Sequence, residues 1–282
     1  MSVQPRMERL LGVDRKCFDV AIDHGIFNTP GFLSGIEDME SAVATILEAA
    51  PDAVQLAPGQ AHLLQNVPGR HKPSLVYRVD VANVYGPNPP AELFCTLMES
   101  PVERAVRADA ACVVIFLLLI PGETDLHRQC VENLIRIQPE CEALGMPLMV
   151  EPIAMKPDGQ VGFAVDGDVG VVKTLVRQAV ELGADLIKAD PTDDPDEYPQ
   201  VIEAAGRCPV LVRGGGKASE EEIFQRTVDL MGAGASGIVY GRNVIQHDNP
   251  SGITRAFMEI VHGGASASDA MSILYDLPGS QD

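Results

Sequence analysis

A chain of 282 residues, 46% of them hydrophobic, has material for one sizeable core, and a formal charge of −19 argues against nucleic acid or anionic membrane as a partner over the bulk surface. Six scattered cysteines without a CxxC pair read as reduced thiols of a cytoplasmic protein, not as a disulfide framework or a structural zinc site. Residues 1–13 lack the apolar stretch of a signal peptide, and the longest apolar run, Ala110 to Pro121, is too short to span a bilayer. An anionic small ligand remains compatible with all of this, because a local cluster of amides and cations binds phosphate even inside an acidic protein.

After an amphipathic lead-in (Met7, Leu10, Leu11), Phe18 to Asp23 reads as a first strand ending in Asp23-His24-Gly25. Helical periodicity follows over Ile36 to Ala50, and a second strand covers Ala53 to Leu56. The third strand, Ser74 to Val79, ends at Asp80 before a loop that contains Tyr85-Gly86-Pro87-Asn88-Pro89-Pro90. Ser100 as N-cap and Pro101 at the first helical position open a short helix to Asp109. Ala111 to Leu119 is a fourth strand, Glu123 to Leu144 a long helix stopped by Gly145, and Pro147 to Glu151 a fifth strand. The loop from Lys156 to Gly167 is long enough to act as a flap.

Asp168 to Leu182 is helical, and Gly183-Ala184-Asp185-Leu186-Ile187-Lys188-Ala189-Asp190-Pro191 then places a strand, Asp185 to Ala189, that carries a lysine in an apolar run. Helices at Asp196 to Ala205, Ser219 to Met231 and Pro250 to Val261 alternate with strands at Pro209 to Arg213 and Ser236 to Tyr240. Ser219 with Glu222 forms a capping-box start. Eight short apolar strands, most followed by a helix, predict an α/β fold, a single-domain (β/α)₈ TIM barrel over residues 1–264, with 265–282 as a C-terminal arm.

Such barrels place their chemistry at the C-terminal ends of the strands. There the sequence puts Asp23, His24, Arg78, Asp80, Glu151 and Lys188, then Gly214-Gly215-Gly216-Lys217 and Gly241-Arg242-Asn243. A buried ammonium is disfavoured, so a desolvated lysine is a candidate imine-forming nucleophile; the competing role is an ion pair or a side chain that reaches the surface. The two glycine loops after strands seven and eight occupy the usual phosphate position, with Arg242 or Lys217 adding charge. The six histidines show no HxxxH or HxH spacing, so no metal site is expected; His62 and His71 read as surface residues, His127 and His262 as polar helix faces.

The stretches Ala21-Ile22-Asp23-His24-Gly25, Gly183 to Lys188, Pro209 to Lys217 and Gly234 to Gln246 together resemble the DeoC/LacD-type aldolase group, and within it the DhnA-like branch. That branch includes archaeal-type class I fructose-bisphosphate aldolases, aminodideoxyheptulosonate synthases and the autoinducer-2 thiolase. The resemblance implies a cofactor-free, metal-independent class I lyase that acts on a phosphorylated ketose or related keto compound, and a homo-oligomer. By the same resemblance Lys188 is the Schiff-base lysine and Asp23 lies beside the reacting carbons. His24 is then a substrate or phosphate contact, and Gly215, Gly216, Lys217, Gly241 and Arg242 form the phosphate loops.

The chain departs from the family at strand five, which reads Met149-Val150-Glu151-Pro152-Ile153 where the family carries a proton-shuttling tyrosine. This leaves Glu151 as the first candidate for proton transfer and Asp23 as the second, against a purely ionic role for Glu151 with Lys188 or Arg78. Acyl transfer on a phosphorylated keto compound by the same lysine, and a non-catalytic phosphosugar-binding barrel, remain open alternatives.

Overall fold

The computed structural model describes residues 2–27, 29–69, 71–85, 92–159 and 162–275. Eight parallel strands form the wall: β1 (Cys17–Ala21), β2 (Ala53–Leu56), β3 (Ser74–Arg78), β4 (Cys112–Leu119), β5 (Leu148–Pro157), β6 (Leu186–Ala189), β7 (Val210–Arg213) and β8 (Gly237–Tyr240). Each pairs with its neighbour in sequence, and β8 returns to β1 in the register Cys17↔Gly237 to Val20↔Tyr240, so the sheet closes as a (β/α)₈ barrel. The longest seam is β4 with β5, from Val113↔Leu148 to Leu119↔Ala154.

Side chains alternate across this wall with the strand period of two. Phe18, Val20, Ile187 and Val212 face outward into the layer shared with the helices. Cys17, Ala53, Val76, Cys112, Val114, Met149, Leu186, Leu211 and Val239 face inward and fill the barrel. Helix α1 (Gln4–Leu10) supplies Met7 and Leu10 to the same inner cluster, which fits the amphipathic lead-in seen in the sequence. Two residues along β2, β3, β5, β6 and β7 from inner Ala53, Val76, Met149, Leu186 and Leu211 come Gln55, Arg78, Glu151, Lys188 and Arg213. The same alternation that packs the barrel therefore aims these polar groups into its mouth.

Helices α2 (Met39–Leu47), α3 (Ala61–Gln65), α4 (Pro101–Arg107), α5 (Thr124–Leu144), α6 (Val169–Glu181), α7 (Pro199–Ala205), α8 (Glu220–Gly232), α9 (Arg242–Ile245), α10 (Pro250–Met258) and α11 (Ala267–Tyr275) complete the chain. Several boundaries differ from expectation. Helix α2 starts three residues after Ile36, because Asp38 accepts from the Ser41 N–H and fixes the start. Ser100 has a left-handed backbone (φ 48°) and makes no side-chain cap, while Pro101 opens α4 as predicted. The Lys156–Gly167 stretch is in part a hairpin, since β5 runs on to Pro157 and pairs antiparallel with Phe163–Val165. Tyr85 is described, whereas residues 86–91 of its proline-rich loop lie outside the described residues.

The closing helix ends at Met258 in a π-helical turn, Glu259–Gly263, whose His262 bridges Asp14 and Asp52 at 2.8 Å each. His262 is thus a tie at the base of the barrel, not only a polar face. No helix among the described residues is long and apolar enough to cross a membrane.

Candidate active site

The cleft at the C-terminal mouth has a cavity volume of about 50 Å³. Lys188 projects into it from β6 and is buried, with Nζ 3.0 Å from Glu151 Oε1 and 3.2 Å from Gln55 Oε1. Glu151 is the hub: its Oε1 also meets Arg213 Nε at 3.1 Å, and its Oε2 accepts from Arg78 Nη2 at 2.5 Å. Burial alone would raise this carboxyl, but Lys188, Arg78 and Arg213 together pull it down to about 2. At neutral pH it is a carboxylate with no proton to give. The ionic role weighed for it in the sequence is the one its contacts describe.

Arg78 is wholly buried and uses three nitrogens on three carboxylates. Nε donates to Asp23 Oδ2 at 2.9 Å and Nη1 to Asp80 Oδ1 at 3.2 Å, while Nη2 holds Glu151. Its guanidinium carbon lies 4.0 Å from the centre of the Phe116 ring. Burial raises Asp23, yet Arg78, Lys188 and His24 outweigh it, so the acid sits below its ordinary value. Gln55 Nε2 adds a 2.7 Å bond to the same Asp23 oxygen, which leaves Asp23 fixed and ionised. For Asp80, burial outweighs Arg78 and the acid moves up; its Oδ2 accepts from the Phe116 N–H at 2.7 Å.

His24 faces the cleft in a short 3₁₀ turn, His24–Phe27. Burial drops its imidazole to about 4, against the pull of Asp23, so the ring is neutral. A side chain on Gly241 would come within 2.3 Å of His24 Cε1, which explains glycine at that position. Arg242 lines the cleft with its guanidinium 4.9 Å from the Phe32 ring and a bond to the Gly215 carbonyl at 3.3 Å. It is the one cleft arginine that meets no carboxylate among the described residues.

Of the residues singled out in the sequence, Asp23, His24, Arg78, Glu151, Lys188, Gly214, Gly215, Gly241 and Arg242 all line this cleft. Gly216 and Lys217 are exposed and do not; Lys217 borders a separate depression with Ser219 and His247. Lys156 also lies elsewhere, paired with Asp166 and Asp193.

Four residues at the site were not singled out for it: Gln55, Arg213, Tyr85 and Asp190. Arg213 Nη1 binds Asp190 Oδ1 at 2.8 Å, and its Nη2 donates to the Tyr85 hydroxyl at 3.1 Å. Arg213 and Gln55 sit in phase with inward residues of their strands, a signal that appears only once the register is assigned. Below this layer Asp19 projects inward from β1. It is fully buried, neither carboxyl oxygen has a hydrogen-bond partner among the described residues, and burial raises it to about 7 against the opposing pull of Lys188.

A buried lysine set among fixed ions at the mouth of a parallel barrel fits a lyase-type barrel enzyme. The chain belongs to the DeoC/LacD family of aldolases, whose model matches residues 17–247. It is 33% identical to an uncharacterized aldolase of Saccharolobus solfataricus over 278 residues, 95% of this chain and 97% of that protein. It is 27% identical to the 2-amino-3,7-dideoxy-D-threo-hept-6-ulosonate synthase of Halobacterium salinarum, over 95% of this chain and 94% of that one. Among solved structures it is similar to an archaeal fructose 1,6-bisphosphate aldolase, with a TM-score of 0.77, 26% identity, and coverage of 93% of this chain and 100% of that one. A Schiff-base-forming fructose-1,6-bisphosphate aldolase matches with a TM-score of 0.76 and 26% identity over 93% of this chain and 100% of that one.

Proposed function

We propose that the protein is a metal-independent class I aldolase that forms or cleaves a C–C bond in a phosphorylated ketose or related keto compound, with Lys188 as the imine-forming nucleophile. The observation that carries this reading is the buried Lys188–Glu151 contact of 3.0 Å at the barrel mouth. The Nζ lone pair adds to the substrate carbonyl, the resulting carbinolamine loses water, and a cationic iminium remains. The two protons that leave the ammonium nitrogen end on the substrate oxygen, which departs as water. Because the iminium carries the same charge as the ammonium it replaces, ionised Glu151 stays paired throughout. The iminium then takes up the electron pair released when the C–C bond breaks.

Arg78 fixes Asp23 and Glu151 relative to one another, which supports reading Asp23 as the acceptor for a substrate hydroxyl. Arg242 supplies the available positive charge for the phosphate, with Gly214, Gly215 and Gly241 allowing the oxyanion close to the backbone and neutral His24 as a further contact. A cytoplasmic homo-oligomer is part of the same reading, drawn from the resemblance.

A second reading, acyl transfer by the same lysine, draws on an apolar cleft lined by Ile26, Leu33, Ile36 and Met98 that shares Asp23 with the site and gives an acyl chain room. Borohydride reduction with dihydroxyacetone phosphate and other phosphorylated ketones, followed by peptide mass mapping, tests the imine. The expected result is an adduct on the Lys188 peptide that Lys188→Ala abolishes. Measurable binding of these ketones with no adduct from any of them would leave a sugar-phosphate-binding barrel instead.

A further inference from the structure

Imine chemistry requires a group that moves a proton at the substrate carbon, and the residues first in line for it are constrained. Glu151 is held ionised by three cations. Asp23 is pinned by Arg78 and Gln55 on one oxygen. His24 keeps Nδ1 sealed and without a partner among the described residues, and its opposite edge packs over Gly241. Tyr85 enters the same cleft from the chain that follows β3.

Its ring is clamped edge-on by Phe27, with centroids 4.7 Å apart, and by Phe32 at 5.7 Å. Its oxygen accepts from Arg213 Nη2 at 3.1 Å. Because the arginine occupies a lone pair, the phenolic hydrogen points elsewhere, and no acceptor for it is present among the described residues. The same Arg213 touches Glu151 Oε1, the oxygen that holds Lys188. One rigid guanidinium therefore links the phenol to the carboxylate at the nucleophile, and its charge opposes the burial that pushes the phenol up to about 12.

We propose that Tyr85 is the proton carrier of this site, giving a proton to the enamine carbon and taking it back. The inference rests on the imine reading above. In the step the phenolic O–H bond breaks and a C–H bond forms. The enamine π pair moves to the carbon, the nitrogen lone pair closes the C=N bond of the iminium, and Arg213 holds the tyrosinate. The reverse step returns the proton to the oxygen and regenerates the enamine.

Two readouts on one probe separate this inference from the reading it rests on. The probe is whichever of dihydroxyacetone phosphate, dihydroxyacetone and pyruvate gives the highest borohydride adduct. Deuterium uptake at its α-carbon in D₂O reports the proton step, and the adduct reports the imine. Tyr85→Phe keeps the clamped ring and should retain the adduct within about twofold while exchange falls at least about 100-fold, the usual scale for losing a positioned acid–base group. Exchange within about threefold of wild type overturns the proposal. So does a wild-type protein that forms the adduct without exchange, or a variant that loses the adduct as well. Failure of the wild-type protein to form any adduct removes the imine reading, and this role falls with it.

Discussion

Asp19 shows how much a single buried group can weigh. A carboxyl sealed in the barrel with no hydrogen-bond partner among the described residues is raised to about 7, so the folded protein holds a proton there that the unfolded chain releases near 4. Between those values the native state binds more protons, and stability falls as pH rises from about 4 to about 7. Asp19→Asn removes that dependence. Thermal melts should show the variant gaining on wild type across this window and staying ahead above it. A difference that is flat with pH, or that shrinks as pH rises, would show that the carboxyl does not carry this proton.

Legibility at this scale follows strand ends. Lys188, Asp23, Arg78 and Glu151 were visible because a charge in or after an apolar run is costly and therefore stands out. Arg213 was visible only as the residue before a glycine turn, and Gln55 carries no charge to attract notice. The partners of each ion come from other strands, and no local spacing reports them. The tyrosine absent from strand five was readable; that another tyrosine reaches the cleft from the β3 side was not, because its loop has no period to fix its direction.

Among the elements, the seam between β8 and β1 sets the tightest requirement. Gly237 has φ 143°, and a Cβ there would lie 1.8 Å from the carbonyl oxygen of Cys17, its register partner. Only glycine closes the barrel at this point. Gly237→Ala is expected to cost on the order of 3 kcal/mol. For a domain of this size that lowers Tm by roughly 5 °C, measurable by calorimetry. Gly232, where a Cβ meets nothing within 4 Å, is the matched control. Existence and order of the elements were readable from periodicity. Their ends were set by contacts such as the Asp38 cap on α2 and the antiparallel partner that prolongs β5, which a window of apolar residues does not contain.

For the whole molecule, the eight apolar runs specified the architecture because a parallel strand buried on both faces can be satisfied in few ways. The charge of −19 then acts as a uniform background against which the cleft, with Lys188, Arg78, Arg213 and Arg242 offset by fixed carboxylates, is locally balanced. Arg78 joins Asp23, 55 residues earlier, to Glu151, 73 residues later, and Lys188 meets Gln55 across 133 residues of chain. Contacts so distant in sequence form late in assembly, since each closes a long loop before it returns any energy. During refolding from denaturant, far-ultraviolet ellipticity should therefore recover ahead of the fraction of chains whose Lys188 is trapped by ketone and borohydride. In time as well as in space, the local helices come first, and the reactive centre waits on the pairing of strands far apart in the chain.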